Sequence, residues 1–188
     1  MYAARSVATL WPMQSENGRP RHVVVVGLMG SGKTVVGRRL AACLGWPWRD
    51  SDREIEAATG LTVRELRDRD GVDAMHALEA RHLLDALMEL PPSVISAAAS
   101  TIDVPECRAA MTAPGVAVVW LRAEPATLAQ RFSARDRHRP EFGDSPEAFL
   151  TEQAARRHPL FASLNPIVID VDRVRPGEAA ERAMEALG

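Results

Sequence analysis

Residues 22–45 read HVVVVGLMGSGKTVVGRRLAACLG, and three kinds of local structure follow one another inside this one stretch. Val23–Val26 is a run of β-branched residues with no polar alternation, the pattern of a strand covered on both faces. Gly27-Leu28-Met29-Gly30-Ser31-Gly32-Lys33-Thr34 fits the spacing G-x-x-x-x-G-K-[ST]. The residues after it have helical spacing, with Val36, Leu40, Cys43 and Leu44 expected on one face and Gly45 as the stop. Strand, glycine-rich loop and helix are the context in which this spacing makes a phosphate site. Glycines let the backbone approach a polyphosphate closely, and the loop and first-turn N–H groups point at the anion. The backbone of Gly27, Met29, Gly30, Ser31 and Gly32, with Lys33, Thr34 and Val35 at the helix start, is therefore expected around a nucleoside triphosphate. Lys33 would reach the β- and γ-phosphates, and the Thr34 hydroxyl would ligate Mg²⁺. Lys33 is the only lysine in the chain; every other member of the 23 Lys and Arg residues is arginine. A compact ammonium has been kept at the one position where a fork-shaped guanidinium does not serve.

Working outward, Trp48-Arg49-Asp50 reads as the end of a second strand, and the extended spacing predicts that Asp50 and Asp52 share a face. Arg53–Ala58 reads as helix, stopped at Thr59-Gly60. Thr62 and Glu65 have the spacing of a capping box. A long helix over Val72–Leu90 is expected to turn Met75, Leu78, Ala86 and Leu87 inward and to end at Pro91-Pro92. Ser93–Ser96 is a third strand, followed by Ala97-Ala98-Ala99-Ser100. Helix over Pro105–Met111, strand over Gly115–Leu121 and helix over Glu124–Arg135 come next, the last with Leu128 and Phe132 on one side. A basic segment with little periodicity, Arg135–Asp144, separates these from a helix opened by Ser145 and Pro146 and reaching Arg157. Ile167–Val171 and Pro176–Leu187 read as the last strand and helix. Strands alternating with helices after a phosphate loop predict an α/β fold of three layers, a parallel sheet with helices on both faces. Residues 1–20 read as a flexible tail and 21–188 as a single domain.

Composition is that of a globular protein, 46% hydrophobic and 26% charged. A net charge of −2 and a pI near 6.2 argue against bulk binding to nucleic acid or an anionic membrane. Cys43 and Cys107 have no metal-ligand spacing and read as free thiols in a reducing compartment, hence a cytoplasmic protein. His22, His82 and His158 likewise lack partners at the spacing of a zinc site.

The chain resembles the shikimate kinases, small-molecule kinases within the nucleoside-monophosphate-kinase-like P-loop group. The likeness is carried by GLMGSGKTVVGRRLAACLG, D-S-D-R-E-I-E, T-G-L-T-V-R-E-L, H-R-P at 138–140, R-R-H-P-L-F at 156–161 and V-D-R-V-R-P-G at 171–177. It implies a five-stranded parallel sheet and a mobile lid over about 135–146. It implies transfer of the γ-phosphoryl group of ATP, with Mg²⁺, to a hydroxyl of a small metabolite, in a monomer or homodimer. Position by position, Asp50 resembles the carboxylate that holds Mg²⁺ through water, and Asp52 the aspartate at the substrate hydroxyl. Arg139 matches the lid arginine and Arg157 an arginine that grips the substrate carboxylate. Pro176 matches a residue lining the adenine pocket, and Arg131 an arginine stacked on adenine. The resemblance makes Lys33, Asp52 and Arg139 the catalytic set, and Asp52, His76, Ala97, Ala98 and Arg157 the acceptor contacts.

The departures lie on the acceptor side. The family carries a triple glycine where this chain has Ala97-Ala98-Ala99, and a second arginine where it has His76. Three added methyl groups and the aversion of alanine to positive φ, with one guanidinium fewer, predict that shikimate is a poor acceptor. The Ser96-Ala97 step faintly resembles the gluconate kinases, so sugar acids and polyols are alternative acceptors. A non-catalytic nucleotide-binding module is the alternative of another class. A guanine-nucleotide switch is disfavoured, since its Asn-Lys-x-Asp motif needs a lysine other than Lys33.

Overall fold

The computed structural model describes residues 20–131 and 145–188. The expected tail, Arg139 and most of the expected lid lie outside them. The chain runs β1 (His22–Val26), α1 (Lys33–Leu44), β2 (Trp48–Asp50), α2 (Ser51–Thr59), α3 (Val63–Asp70), α4 (Val72–Met88) and β3 (Ser93–Ser96). A 3₁₀ helix (Ala99–Asp103), α5 (Pro105–Met111), β4 (Val116–Arg122) and α6 (Pro125–Arg131) follow, and then α7 (Pro146–Ala162), β5 (Ile167–Asp170) and α8 (Pro176–Leu187). The strands form one parallel sheet in the order β2-β3-β1-β4-β5. β1 is central and buried along its whole length, as a valine run with both faces covered requires. The loops at the carboxyl ends of β1, β2 and β3 meet beside the point where the strand order reverses, which is where open α/β sheets bind ligands.

The expected helix signals are realised at several ends. Gly45 closes α1 in the left-handed region at φ 68°, and the Thr62–Glu65 capping box is complete. Ser145 caps α7 by accepting from the Ala148 N–H. α7 runs on past Arg157 and through Pro159, although proline removes a helical donor. The buried Phe161 side chain holds that last turn against the core.

Three sequence expectations are corrected. In α1 the buried face is Val36, Gly37, Leu40 and Ala41, and Cys43 is exposed. In α4 the inward positions are Glu79, Ala80, Leu83, Ala86 and Leu87. Leu78 is 39% exposed, because five residues place it about 140° around the helix from the fully buried Leu83. Asp50 and Asp52 do not share a strand face: β2 ends at Asp50, and Ser51 and Asp52 are already the first turn of α2.

Gly37 lets α1 lie against β3. A Cβ there would stand 2.3 Å from Ser96 Oγ and 3.2 Å from Trp48 Nε1. Those two atoms are already bonded to one another at 3.0 Å, and Ser96 Oγ also donates to the Lys33 carbonyl. Glycine to alanine inside a helix ordinarily stabilises, by about 1 kcal/mol. Here Gly37→Ala is expected to destabilise by about 1–3 kcal/mol through overpacking, read by chemical denaturation. A companion Ser96→Ala change should recover part of that loss. A gain in stability from Gly37→Ala alone would mean that α1 does not rest on Ser96.

Candidate active site

The loop after β1 is shaped by two glycines. A Cβ on Gly27 would stand 2.6 Å from the Leu121 carbonyl oxygen, and Gly32 takes φ 95°, which disfavours any side chain. Gly32 is also the cap of α1 and offers no side-chain acceptor to its first N–H groups, which are left facing the loop. Lys33 Nζ curls back over this loop and donates to the carbonyls of Gly27 (3.0 Å) and Leu28 (3.2 Å). Ser31 Oγ is buried there with no hydrogen-bond partner. Backbone donors, a folded-back ammonium and an orphaned hydroxyl are the donor set of a phosphate cradle, so the residues fit a nucleoside polyphosphate.

One residue along, Thr34 Oγ1 donates to Asp50 Oδ2 at 3.0 Å. Asp50 is 5% exposed, and its Oδ1 accepts from the Arg53 N–H, capping α2. Helix start and strand end thus bring a hydroxyl and a fixed carboxylate together as hard oxygen donors. Among the described residues no three His, Cys, Asp or Glu side chains converge. One carboxylate and one hydroxyl, completed by phosphate oxygens and water, suit Mg²⁺ better than an all-protein cage would.

Asp52 stands exposed on the first turn of α2, on the acceptor side. Facing it is Glu79 of α4, which the sequence reading did not single out. Glu79 is 5% exposed, and Ser100 of the 3₁₀ helix donates to its Oε2. Burial pushes its carboxyl up to about 7; the Ser100 hydrogen bond lowers it, the Asp52 charge raises it, and Arg157 and Lys33 lower it. One carboxyl therefore senses the phosphate lysine, the acceptor-side aspartate and the α7 arginine together. The signal in the sequence was an acid at the inward position of α4, four residues before Leu83.

Arg157, 8% exposed, meets Asp103 edge-on: its Nε donates to Oδ2 (3.0 Å) and Oδ1 (3.3 Å), and its Nη2 to Oδ2 (2.6 Å). Arg156 Nη2 donates to the same Oδ2 at 3.0 Å. His76 is half-buried beside this group. Burial lowers its pKa, Arg157 lowers it further, and Asp103 raises it, so the ring is neutral at pH 7. His76 also borders an open hollow of about 510 Å³ between α4 and α5, on the side away from Lys33. Ala97 is buried at the end of β3, and Ala98 is half-buried. Ala98 has φ −61°, and the positive-φ non-glycine residue among those described is Asn165. The expected backbone conflict of the three alanines is absent, because this segment turns into a 3₁₀ helix through ordinary φ values; their methyl groups remain.

On the base side, Arg131 donates to the Val171 carbonyl, and Pro176 opens α8 a few residues on, so both flank the turn after β5. Trp48 is a wall of the site, fixed by Ser96 and covered by Arg53 at 5.5 Å from its ring centre. Of the other histidines, Nδ1 of His22 bonds Ser93 Oγ and Nε2 of His82 bonds Glu54, each at 3.0 Å.

Ionising the buried Glu79 opposes folding, which fixes a sign. Its folded pKa, about 7, lies above the unfolded value near 4.5, so its favourable contribution is complete below about 4.5 and lost by about 7. Glu79→Gln is therefore expected to match the wild type near pH 4.5 and to exceed it by about 2–3 kcal/mol at pH 8. Thermal melts of both proteins across that range check this; a gap that does not widen with pH would mean Glu79 is charged in the fold.

The family model described as shikimate kinase matches residues 29–188. A shikimate kinase of Paramagnetospirillum magneticum is 39% identical over 187 residues, covering 98% of this chain and 92% of the relative. One of Caulobacter vibrioides is 40% identical over 144 residues, covering 77% of this chain and 71% of the relative. The solved shikimate kinase of Acinetobacter baumannii in complex with shikimate superposes with a TM-score of 0.83 at 28% identity, over 90% of this chain and 93% of that one.

Proposed function

This chain belongs to the shikimate kinase family and is an ATP-dependent kinase of a small-molecule hydroxyl, and we propose from that premise which of its residues do the work. Gly27, Met29, Gly30, Ser31, Gly32 and Val35 cradle the phosphates through their backbone, and Arg131 and Pro176 border the base. Lys33 carries its ammonium from the Gly27 and Leu28 carbonyls onto the transferring phosphoryl group. Thr34 and Asp50 hold Mg²⁺, which neutralises charge on the β- and γ-phosphates when bound. Asp52 orients the acceptor hydroxyl and takes its proton. Because phosphoryl transfer passes through a loose transition state, holding that oxygen in line counts for more than the basicity of the carboxylate. His76, Glu79, Ala97, Ala98 and Arg157 line the acceptor side, and Arg139 closes over the phosphates. The free thiols of Cys43 and Cys107 fit a cytoplasmic protein, and no helix among the described residues is long and apolar enough to cross a membrane.

The observation that carries the reading is Glu79, one buried carboxyl acted on by Lys33, Asp52 and Arg157 at once. It supports a single site in which the phosphate end and the acceptor end adjoin. A coupled ADP-release screen with ATP and Mg²⁺ over shikimate, sugar acids and polyols tests it. ADP release that depends on an acceptor is expected, with shikimate among the weaker ones. ATP binding with no acceptor-dependent release would instead favour a nucleotide-binding module without catalysis.

A further inference from the structure

The acceptor side carries its own carboxylate. Asp103, at the end of the 3₁₀ helix, lies along the Nε–Nη2 edge of Arg157 with three donor–acceptor distances of 2.6–3.3 Å. That edge of a guanidinium is one of those on which a carboxylate docks in a paired, fork-to-fork manner. A substrate carboxylate seeking that grip must displace Asp103, which also serves Arg156. Arg157 is buried, so the internal pair is poorly screened by solvent and is not exchanged without cost. The remaining groups do not replace the lost cation. His76 is neutral, Glu79 contributes a proton donor or a negative charge, and Asp52 adds another carboxylate. Arg156 and Arg157 thus face two carboxylates, Asp103 and Asp52, before any acceptor arrives.

We propose that the acceptor is an uncharged polyhydroxylated molecule rather than a carboxylate, because Asp103 occupies the edge of Arg157 that an anionic acceptor would need. This rests on the kinase reading above and names the substrate class of the same site. Asp103 is the specificity-determining residue. It holds Arg157 as a fixed neutral unit whose outward N–H groups and carboxylate oxygens donate to and accept from hydroxyls.

The test uses matched pairs that differ in charge alone: shikimate with its methyl ester, and gluconate with glucitol. Binding of each is measured by calorimetry to the full chain with Mg²⁺ and ADP, and turnover by ADP release. The neutral member is expected to bind at least about tenfold more tightly in each pair, a decade being a modest loss for one charge-assisted contact. Asp103→Asn and Asp103→Ala should each improve carboxylate binding at least about tenfold and shrink the preference. Equal or tighter binding of the carboxylate by the wild type would overturn the proposal, as would binding of neither member. No gain by either variant would overturn it too. A neutral preference in binding without any turnover would keep the charge assignment and reject the kinase reading, so the two failures are separable.

Discussion

Lys33→Ala is expected to lower kcat by about 10²–10³-fold, the loss typical of removing one preorganised contact to developing charge. The fold should survive, because in this structure Lys33 Nζ is bonded only part-buried to the carbonyls of Gly27 and Leu28, which water can replace. An unchanged melting temperature with collapsed turnover is the expected pair of readings. Lys33→Arg should not rescue it, since a planar guanidinium cannot occupy the space of an ammonium folded over the loop. Near-full activity of Lys33→Ala with the true acceptor would remove the phosphate site from the account.

Asp52→Asn is expected to cost kcat about 10²–10⁴-fold, the range for a positioned proton acceptor, and to raise the acceptor KM while leaving ATP affinity nearly unchanged. The division follows from the geometry. Asp50, buried and bonded to Thr34, belongs to the phosphate end; Asp52, exposed one helical turn further on and acting on Glu79, belongs to the acceptor end. A parallel loss of ATP binding in Asp52→Asn would place its carboxylate beside the metal instead.

The architecture was legible because its signals are local. A valine run, a glycine-lysine loop, Gly45, the Thr62–Glu65 box and Ser145 each act within a few residues, and each marks an element that is there. The nucleotide half of the site is built from one such segment and was readable with it. The acceptor half was not, because it is assembled from residues distant in sequence. Arg157 meets Asp103 across 54 positions, and Glu79 meets Ser100 across 21. Nothing in Ala97-Ala98-Ala99-Ser100-Thr101-Ile102-Asp103 marks a 3₁₀ turn that delivers both partners. The Asp50–Asp52 face failed for a related reason: strand alternation was carried past the residue where α2 begins. The inward register of α4 was open to correction, since an acid four residues before a buried leucine was itself the clue.

The most direct test of the central claim follows the phosphorus. With γ-¹⁸O-labelled ATP, Mg²⁺ and the best acceptor from the screen, the account predicts one labelled phosphomonoester on an acceptor hydroxyl for each ADP released, seen by ³¹P NMR and mass spectrometry. ADP accompanied only by labelled inorganic phosphate, at a rate indifferent to the acceptor, would contradict it.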